Sequence, residues 1–146
     1  MHPCQTNDYI ITIMITRLFV YGTLKSDQSN HYRLTGQRYI GIAHTTTDYR
    51  LFEIEGRFET LGTYPGLVKL PYPNVTDKGI SIQGELWDVD DECLDKLNAY
   101  EDLDSGEYVI EEVSLIDKPD DIPVMSYLYR WDIRGMHDCG TSWTFQ

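Results

Sequence analysis

Hydrophobic residues in this chain occur as short runs that are separated by clusters of Gly, Pro, Asn, Asp and Thr. Runs of this length between turn-forming residues are typical of β-strands. The pattern predicts strands over Arg17–Gly22, Tyr39–His44, Tyr49–Ile54, Gly79–Val89, Tyr108–Ile116 and Val124–Arg130, and a turn that enters another strand at Tyr64–Val68. We therefore expect strands to supply most of the regular structure.

The clearest alternation of apolar and polar residues lies in Gly79–Val89. Ile80, Ile82 and Leu86 fall on one face of the predicted strand, because side chains in a strand alternate between its two faces. Gly84 interrupts the pattern, and a glycine inside a strand indicates a bulge or a close approach of another backbone.

A helix is predicted directly after this strand. Asp90 is a good N-cap, and two further acidic residues in the first turn suit the positive end of the helix dipole. The apolar stripe of the helix consists of Cys93, Leu94, Leu97 and Tyr100. Asp102–Gly106, rich in turn formers, ends it.

These elements amount to six or seven strands and one or two short helices, which are too few helices for a doubly wound sheet. We expect an α+β fold, a small mixed and mostly antiparallel β-barrel with flanking short helices. It forms a single domain over residues 14–146. Met14 stands just before the first strong strand, so we interpret residues 1–13 as an N-terminal appendage, either disordered or adding a strand.

The composition of the chain excludes two classes of binding partner. The 146 residues include 24 acidic and 12 basic ones, which gives a formal charge of −12. A nucleic acid or an anionic membrane surface is an unsuitable partner for such a chain, because both require clustered Lys and Arg. Tyr9–Val20 is too short to span a bilayer, contains Arg17 and has no cleavage site of a signal peptide.

The three cysteines, Cys4, Cys93 and Cys139, are too few and too widely spaced for a disulfide framework or a structural zinc site. The four histidines show no metal-ligand spacing either. We therefore expect a cytoplasmic protein without a bound metal.

Two features of the sequence could carry chemistry. The strand that ends at Phe19–Leu24 runs into Gly-Thr, where successive backbone N–H groups can bind an anion or an oxyanion; the alternative is an ordinary strand end. Glu101 follows the apolar stripe of the helix, so its carboxylate can be partly buried and its pKa raised into the range of a general base. The alternative is a solvated acid at a helix end.

Taken together, an ordered series of motifs resembles the gamma-glutamylcyclotransferase-like family over about Arg17–Arg130. The motifs are Val20-Tyr21-Gly22-Thr23-Leu24-Lys25, Asn30-His31 with Leu34, Tyr64-Pro65-Gly66-Leu67-Val68, Gly84-Glu85-Leu86-Trp87-Asp88-Val89-Asp90, and Leu94, Leu97 and Glu101 followed by Tyr108. The resemblance implies a small mixed barrel with flanking helices, in agreement with the predicted strands.

The resemblance also implies a site. Glu101 matches the general base of the family, Tyr108 matches a tyrosine that lines the pocket, and the substrate is cradled by the turn of Tyr21, Gly22, Thr23 and Leu24. The implied reaction is cyclisation of a gamma-glutamyl amine or amide to 5-oxoproline with release of a free amine, without metal or cofactor. The Tyr-Gly-Thr-Leu form of the turn favours the gamma-glutamylamine cyclotransferase branch. One departure is Asn98, where the family often has Asp three residues before the Glu.

Two other functions stay open at this point. The first is a non-catalytic module that binds a small metabolite on the same fold, and the second is a structural or interaction protein. We expect a monomer or a weak homodimer, and the sequence does not identify the physiological substrate.

The negative charge is concentrated around the predicted base. Residues 85–112 hold 12 of the 24 acidic residues and a single basic one, Lys96. Like charges nearby raise the pKa of a carboxyl group. We expect them to raise the pKa of Glu101 and to favour substrates whose leaving amine is cationic or neutral.

Overall fold

The computed structural model describes residues 14–55 and 63–143. The predicted appendage, residues 1–13, lies outside the described residues. The described strands are β1 (Ile15–Val20), β2 (Arg38–His44), β3 (Tyr49–Glu55), β4 (Thr63–Lys69), β5 (Gln83–Asp90), β6 (Tyr108–Glu112), β7 (Val124–Tyr129) and β8 (His137–Asp138). The helices are α1 (Asp91–Tyr100) and two short 3-10 helices, His31–Leu34 and Leu103–Ser105.

All eight strands belong to one mixed sheet. The order is β2-β5-β1-β7-β4-β3-β8, and β6 pairs with β7 outside this path. β1 and β4 run parallel to β7, and the other pairs are antiparallel. The sheet curls into a half-barrel flanked by helix α1. The predicted α+β class and the mixed, mostly antiparallel sheet are therefore confirmed.

β1 is buried on both of its faces. Leu18 and Val20 belong to one hydrophobic cluster, and Phe19 and Tyr21 belong to the other. A strand in such a position has no polar face, which explains its nearly continuous apolar run. Gly84 of β5 allows the close approach that its sequence position predicts, because a Cβ there would lie 2.5 Å from the Val20 carbonyl oxygen.

The edge of β7 opposite β6 is shared by two strands. β6 pairs with β7 along its whole length. On the other edge, β1 pairs with Val124 and Met125, whereas β4 meets β7 further along, at Leu128. β1 ends at Val20, close to the level at which β4 begins to pair with β7. The chain thus leaves β1 next to the start of β4, and the turn that follows borders both strands.

Helix α1 begins and ends as the sequence predicts. The Asp90 carboxylate accepts a hydrogen bond from the Cys93 N–H at 2.8 Å, so Asp90 is the N-cap. Cys93 and Leu97 are buried against the sheet. Glu101 is the C-cap, and Asp102 adopts a left-handed φ of 51°, which turns the chain away from the helix axis.

Several predicted boundaries are wrong. The described residues form eight strands where six or seven were predicted, because the two-residue β8, which pairs with Phe52 and Glu53, is too short to show a period. Tyr64–Val68 is not a turn that enters a strand but lies entirely within β4. A proline has no N–H to donate to a neighbouring strand. Pro65 is accommodated because this part of β4 is paired with β3 alone, two residues before β4 also pairs with β7 at Leu67.

Two predicted strands are shorter in the structure. The stretch Gly79–Ile82 is not part of β5: Ile80 makes an isolated bridge, and the Ile82 N–H donates to the Thr45 hydroxyl at 2.9 Å instead of to a neighbouring strand. β6 ends at Glu112 because its partner β7 begins at Val124; the chain beyond it bridges to Thr45 through Leu115.

Candidate active site

A cavity of about 410 Å³ opens where β1, β4 and the end of helix α1 meet. Every residue that the sequence placed in a site lines this cavity, namely Tyr21, Gly22, Thr23, Leu24, Glu101 and Tyr108. They come from three segments that are up to 87 residues apart in sequence, between Tyr21 and Tyr108. The fold therefore brings together groups that the motifs linked only by their order.

The turn after β1 presents backbone donors. The Lys25 N–H bonds to the Gly22 carbonyl at 3.1 Å, and the Asn30 N–H bonds to the Thr23 carbonyl at 2.9 Å. Among the described residues, the N–H groups of Gly22, Thr23 and Leu24 have no acceptor. Three such donors on successive residues can bind an anion or an oxyanion.

Gly22 is required by close packing. A Cβ at this position would lie 2.6 Å from Cγ of Pro65, nearer than any side chain can approach. The turn therefore lies directly against the start of β4. Any larger residue at position 22 would push the end of β1 away from β4.

Tyr21 fixes the point at which β1 leaves β7. Its hydroxyl donates to the Tyr127 carbonyl at 2.5 Å and accepts from the Leu67 N–H at 3.3 Å. The Tyr21 hydroxyl thus bridges β7 and β4 at the point where β1 has ended and the two strands are not yet paired. Burial first, and then the charge of Glu101, raise the pKa of Tyr21, so its hydroxyl stays protonated at neutral pH.

Glu101 is placed by the end of helix α1. Its N–H bonds to the Leu97 carbonyl at 2.8 Å, and the left-handed Asp102 follows it. Burial is the main cause that raises the pKa of the Glu101 carboxyl to about 7, the charge of Glu107 adds to it, and the charge of Arg33 opposes it. No hydrogen bond to this carboxylate is made by the residues that the structure describes. Glu101 can therefore accept a proton near neutral pH.

Two further tyrosines of the cavity wall are held in place by hydrogen bonds of their hydroxyl groups. The Tyr108 hydroxyl donates to the Pro65 carbonyl at 2.7 Å, and the Tyr127 hydroxyl donates to Oδ1 of Asn98 at 2.6 Å. Burial and the charge of Glu101 raise the pKa of both tyrosines. Asn98 thus supports a residue of the cavity wall from helix α1, and its neutral amide serves as the acceptor where an acid would add another charge.

Three contacts of the site were not predicted from the sequence. The Tyr64 hydroxyl donates to the Glu107 carboxylate at 2.5 Å. Tyr100 accepts a hydrogen bond from the Asn30 amide at 2.8 Å, and the Arg33 guanidinium carbon lies 3.8 Å from the centre of its ring. The two contacts of Tyr100 tie the loop after the turn to the end of helix α1. Asn30 is part of one of the family motifs and Glu107 belongs to the acidic stretch 85–112, but neither pattern predicted these contacts.

The charge of the cavity wall is negative. The described residues that line it include three acids, Glu101, Asp102 and Glu107, and no Lys, Arg or His. Asp104, which the acidic stretch also contains, is exposed and does not line the cavity. No group of three or more His, Cys, Asp or Glu residues in the described parts of the chain could hold a metal ion. Within the same parts, no helix has both the length and the apolar character to cross a membrane.

Comparisons with known proteins match most of the chain. The family model for gamma-glutamyl cyclotransferase, AIG2-like proteins matches residues 18–144. A Vibrio cholerae relative is 35% identical over 86 residues, covering 59% of this chain and 62% of its own length. Gamma-glutamylaminecyclotransferase A of Danio rerio is 32% identical over 101 residues, covering 66% of this chain and 56% of its own length. The chain thus spans less than two thirds of either relative.

A solved gamma-glutamyl cyclotransferase structure has the same fold. It superposes with a TM-score of 0.59 at 20% identity, over 86% of this chain and 70% of the other. At this level of identity the likeness bears on the fold alone. It agrees with the mixed, curled sheet described above.

Proposed function

The chain belongs to the gamma-glutamyl cyclotransferase, AIG2-like family, and from this premise we propose that it is an enzyme that cyclises a gamma-glutamyl amine or amide. The products are 5-oxoproline and a free amine. The observation that carries the proposal is Glu101, a partly buried carboxylate with a pKa raised to about 7. It shares a cavity with the N–H groups of Gly22, Thr23 and Leu24, which have no acceptor in the described parts of the chain.

Each group has a role in the proposed reaction. The α-amine of the substrate must lose a proton before it can act as a nucleophile, and Glu101 accepts this proton. The amine then attacks the γ-carbonyl carbon of the same molecule, which closes a five-membered ring. The reaction is intramolecular, so much of the acceleration comes from holding the substrate in a folded conformation.

The negative charge that develops on the γ-carbonyl oxygen needs hydrogen-bond donors. The N–H groups of Gly22, Thr23 and Leu24 can supply them without reorganisation, because the turn is fixed by its own hydrogen bonds and by contact with Pro65. Glu101 passes this proton to the nitrogen of the leaving amine as the bond to the γ-carbon breaks. It then accepts the second proton from the ring nitrogen, which becomes the lactam N–H, and gives it to the departing amine, which leaves as an ammonium ion. One titrating side chain therefore serves all the proton transfers, which agrees with the lack of a catalytic dyad in the sequence.

The gamma-glutamylamine preference belongs to the same proposal. It is supported by the Tyr21-Gly22-Thr23-Leu24 form of the turn and by similarity to gamma-glutamylaminecyclotransferase A of Danio rerio. Tyr108 forms part of the wall against which the substrate packs. Its hydroxyl is bonded to Pro65, so we assign it a role in binding and not in proton transfer.

The test is the release of 5-oxoproline from a panel of gamma-glutamyl amines, amides and dipeptides by wild type and Glu101→Gln. We expect turnover by the wild type and a loss of at least about a thousandfold in the variant, because a general base typically contributes that much. The kcat/KM of the wild type should rise with pH through about 7, where Glu101 loses its proton. Glu111→Gln, an exposed substitution on β6, is the matched control.

Two outcomes would contradict the proposal in different ways. Near-normal turnover by Glu101→Gln would reject Glu101 as the base. Saturable binding of a gamma-glutamyl compound without any product would favour the non-catalytic binding module.

A further inference from the structure

One hydroxyl proton of the cavity wall is directed at helix α1. Tyr127 of β7 lines the cavity, and its hydroxyl donates to Oδ1 of Asn98 at 2.6 Å. Its backbone carbonyl accepts the hydroxyl proton of Tyr21 at 2.5 Å, which fixes β7 at the same residue. A tyrosine hydroxyl has a single proton, so the proton of Tyr127 is committed to Asn98.

Asn98 lies one helical turn before Glu101. The Glu101 N–H bonds to the Leu97 carbonyl at 2.8 Å, so the helical pattern still includes Glu101. Residues three positions apart on a helix share a face, with Cβ atoms about 5–6 Å apart. Tyr127 and Glu101 line the cavity, whereas Asn98 does not. The hydroxyl held by Asn98 therefore lies close to the Glu101 carboxylate, and Asn98 accepts its proton from behind the wall.

The direction of this proton affects the strength of Glu101 as a base. A hydroxyl that donates to a carboxylate stabilises the charged form and lowers its pKa. Burial is the main cause that raises the pKa of Glu101 to about 7, and no hydrogen bond is among the causes that act on it. An amide oxygen takes the proton of Tyr127 without placing another charge one turn away from the base.

Taking the proposed function as the premise, we propose that Asn98 is a positioning residue: its amide oxygen holds the proton of the Tyr127 hydroxyl away from Glu101, and its neutrality adds no charge beside that base. The residue acts through Tyr127 and does not touch the substrate. Titratable side chains that face or adjoin Glu101 come from every element around it, and they are Tyr21, Arg33, Asp102, Glu107, Tyr108 and Tyr127.

The experiment follows the titration of Glu101 in wild type and in variants of this pair. Asn98→Asp keeps an acceptor for the hydroxyl and adds a charge, whereas Asn98→Leu keeps the size and removes the acceptor. Tyr127→Phe removes the donor, alone and together with Asn98→Leu. Ala99→Asp, which adds the same charge at an exposed position of the same helical turn, is the matched control.

Two readouts report the titration midpoint. The first is the pH dependence of kcat/KM for the release of 5-oxoproline, whose rise with pH reports the base of the free enzyme. The second is carbon NMR of the glutamate carboxyl groups in the protein without substrate, with the Glu101 signal identified by its loss in Glu101→Gln. The second readout does not require turnover.

The two substitutions of Asn98 should move the midpoint in opposite directions. In Asn98→Asp the new charge lies roughly 7 Å from the base, so the midpoint should rise by about 0.5–1.5 pH units. In Asn98→Leu the hydroxyl loses its acceptor and donates to Glu101, so the midpoint should fall by about 1–2 pH units. The double variant Asn98→Leu/Tyr127→Phe should return close to wild type. Ala99→Asp should shift the midpoint by less than half as much as Asn98→Asp, because solvent and salt screen it.

Several results would overturn the role of Asn98. They are shifts in the same direction for both substitutions, no shift in either, or a fall in Asn98→Leu that persists in the double variant. If circular dichroism shows that Asn98→Leu does not fold, the other variants still decide. No rise in Asn98→Asp, or a raised midpoint in Tyr127→Phe, would show that the hydroxyl or the charge is arranged differently.

The two readouts separate this proposal from the proposed function. Turnover by the wild type without the expected shifts rejects the role of Asn98 and leaves the reaction standing. The expected shifts in the NMR titration, without release of 5-oxoproline from any substrate, support the arrangement of Asn98, Tyr127 and Glu101 and reject the reaction. Absence of both the shifts and turnover rejects both proposals.

Discussion

Replacing Glu101 by glutamine should stabilise the folded protein at alkaline pH while it removes the proposed general base. Burial of the carboxylate costs free energy whenever it is charged, and this is why its pKa is raised from 4.5 to about 7. Glutamine has nearly the same shape and no charge. The substitution therefore removes the cost of the buried charge without opening a cavity.

The sign and size of the effect follow from proton linkage. Between pH 4.5 and about 7 the folded state holds the Glu101 proton more tightly than the unfolded state does, so stability falls as pH rises through this window and the loss is complete above it. A difference of one pH unit between the folded-state and unfolded-state pKa corresponds to ~1.4 kcal/mol. We expect Glu101→Gln to gain about 3 kcal/mol in the free energy of unfolding at pH 8.5, but only about 1 kcal/mol at pH 5.

The assay is urea unfolding of wild type and variant at both pH values, with the difference taken at each pH so that other titrating groups cancel. With a slope of ~1–3 kcal/mol per molar urea, the gain at pH 8.5 shifts the midpoint by roughly 1–3 M. Glu111→Gln on the exposed face of β6 should stay within about 0.5 kcal/mol of wild type. A variant that is no more stable than wild type at pH 8.5, or a gain that does not depend on pH, would refute the reasoning.

Two further substitutions test the walls of the cavity. Tyr108→Phe leaves the buried Pro65 carbonyl without its donor, so we expect a loss of about 1–3 kcal/mol in unfolding free energy and a raised KM with a smaller change in kcat; a large fall in kcat at unchanged KM would instead give the hydroxyl a catalytic role. Gly22→Ala places a Cβ 2.6 Å from Pro65 and should destabilise by about 1–3 kcal/mol and lower kcat/KM, because the turn must move; kinetics and thermal unfolding check this, and wild-type values for both would show that the turn yields without consequence.

Local patterns were sufficient to predict the elements that carry the site. The N-cap Asp90, the buried face of helix α1 and its end near Glu101 each depend on residues within one or two helical turns, so their signals are present in the sequence. The same holds for the apolar strand β1 and the Gly22 turn. These pieces show where the proposed base and the backbone donors lie, and their order supplied the resemblance that linked them.

Contacts between distant segments could not be predicted in this way. Tyr64 and Glu107 are 43 positions apart, and their hydrogen bond exists because β4 and β6 lie on opposite edges of β7. Tyr64 belongs to one of the motifs and Glu107 to the acidic stretch 85–112, but neither pattern shows that the two side chains meet. For the same reason β8 was missed: its two residues are defined by pairing with β3, and not by a period of their own.

The structure assigns structural roles to several acids of the stretch 85–112. Asp88 binds the buried Arg17, with the shortest contact at 2.8 Å, and Asp90 caps helix α1. Glu85 accepts hydrogen bonds from the Ser26 backbone at 2.9 Å and the Trp87 indole at 3.1 Å, so it holds the segment after the turn. Much of the negative charge thus serves the fold. The part that can act on a ligand is confined to the three acids of the cavity wall.

The position of the cavity follows from the sharing of one strand edge. Because β6 occupies a whole edge of β7, β1 and β4 must divide the other, and the sheet lacks backbone partners where one gives way to the other. The Tyr21 hydroxyl satisfies two of the backbone groups at this junction. The chain beyond it forms a turn whose N–H groups find no acceptor among residues 14–55 and 63–143. If β1 continued its parallel pairing with β7 further along the chain, those N–H groups would be used in hydrogen bonds between the two strands. The interruption of the sheet is therefore what places a turn with outward-facing backbone donors beside Glu101.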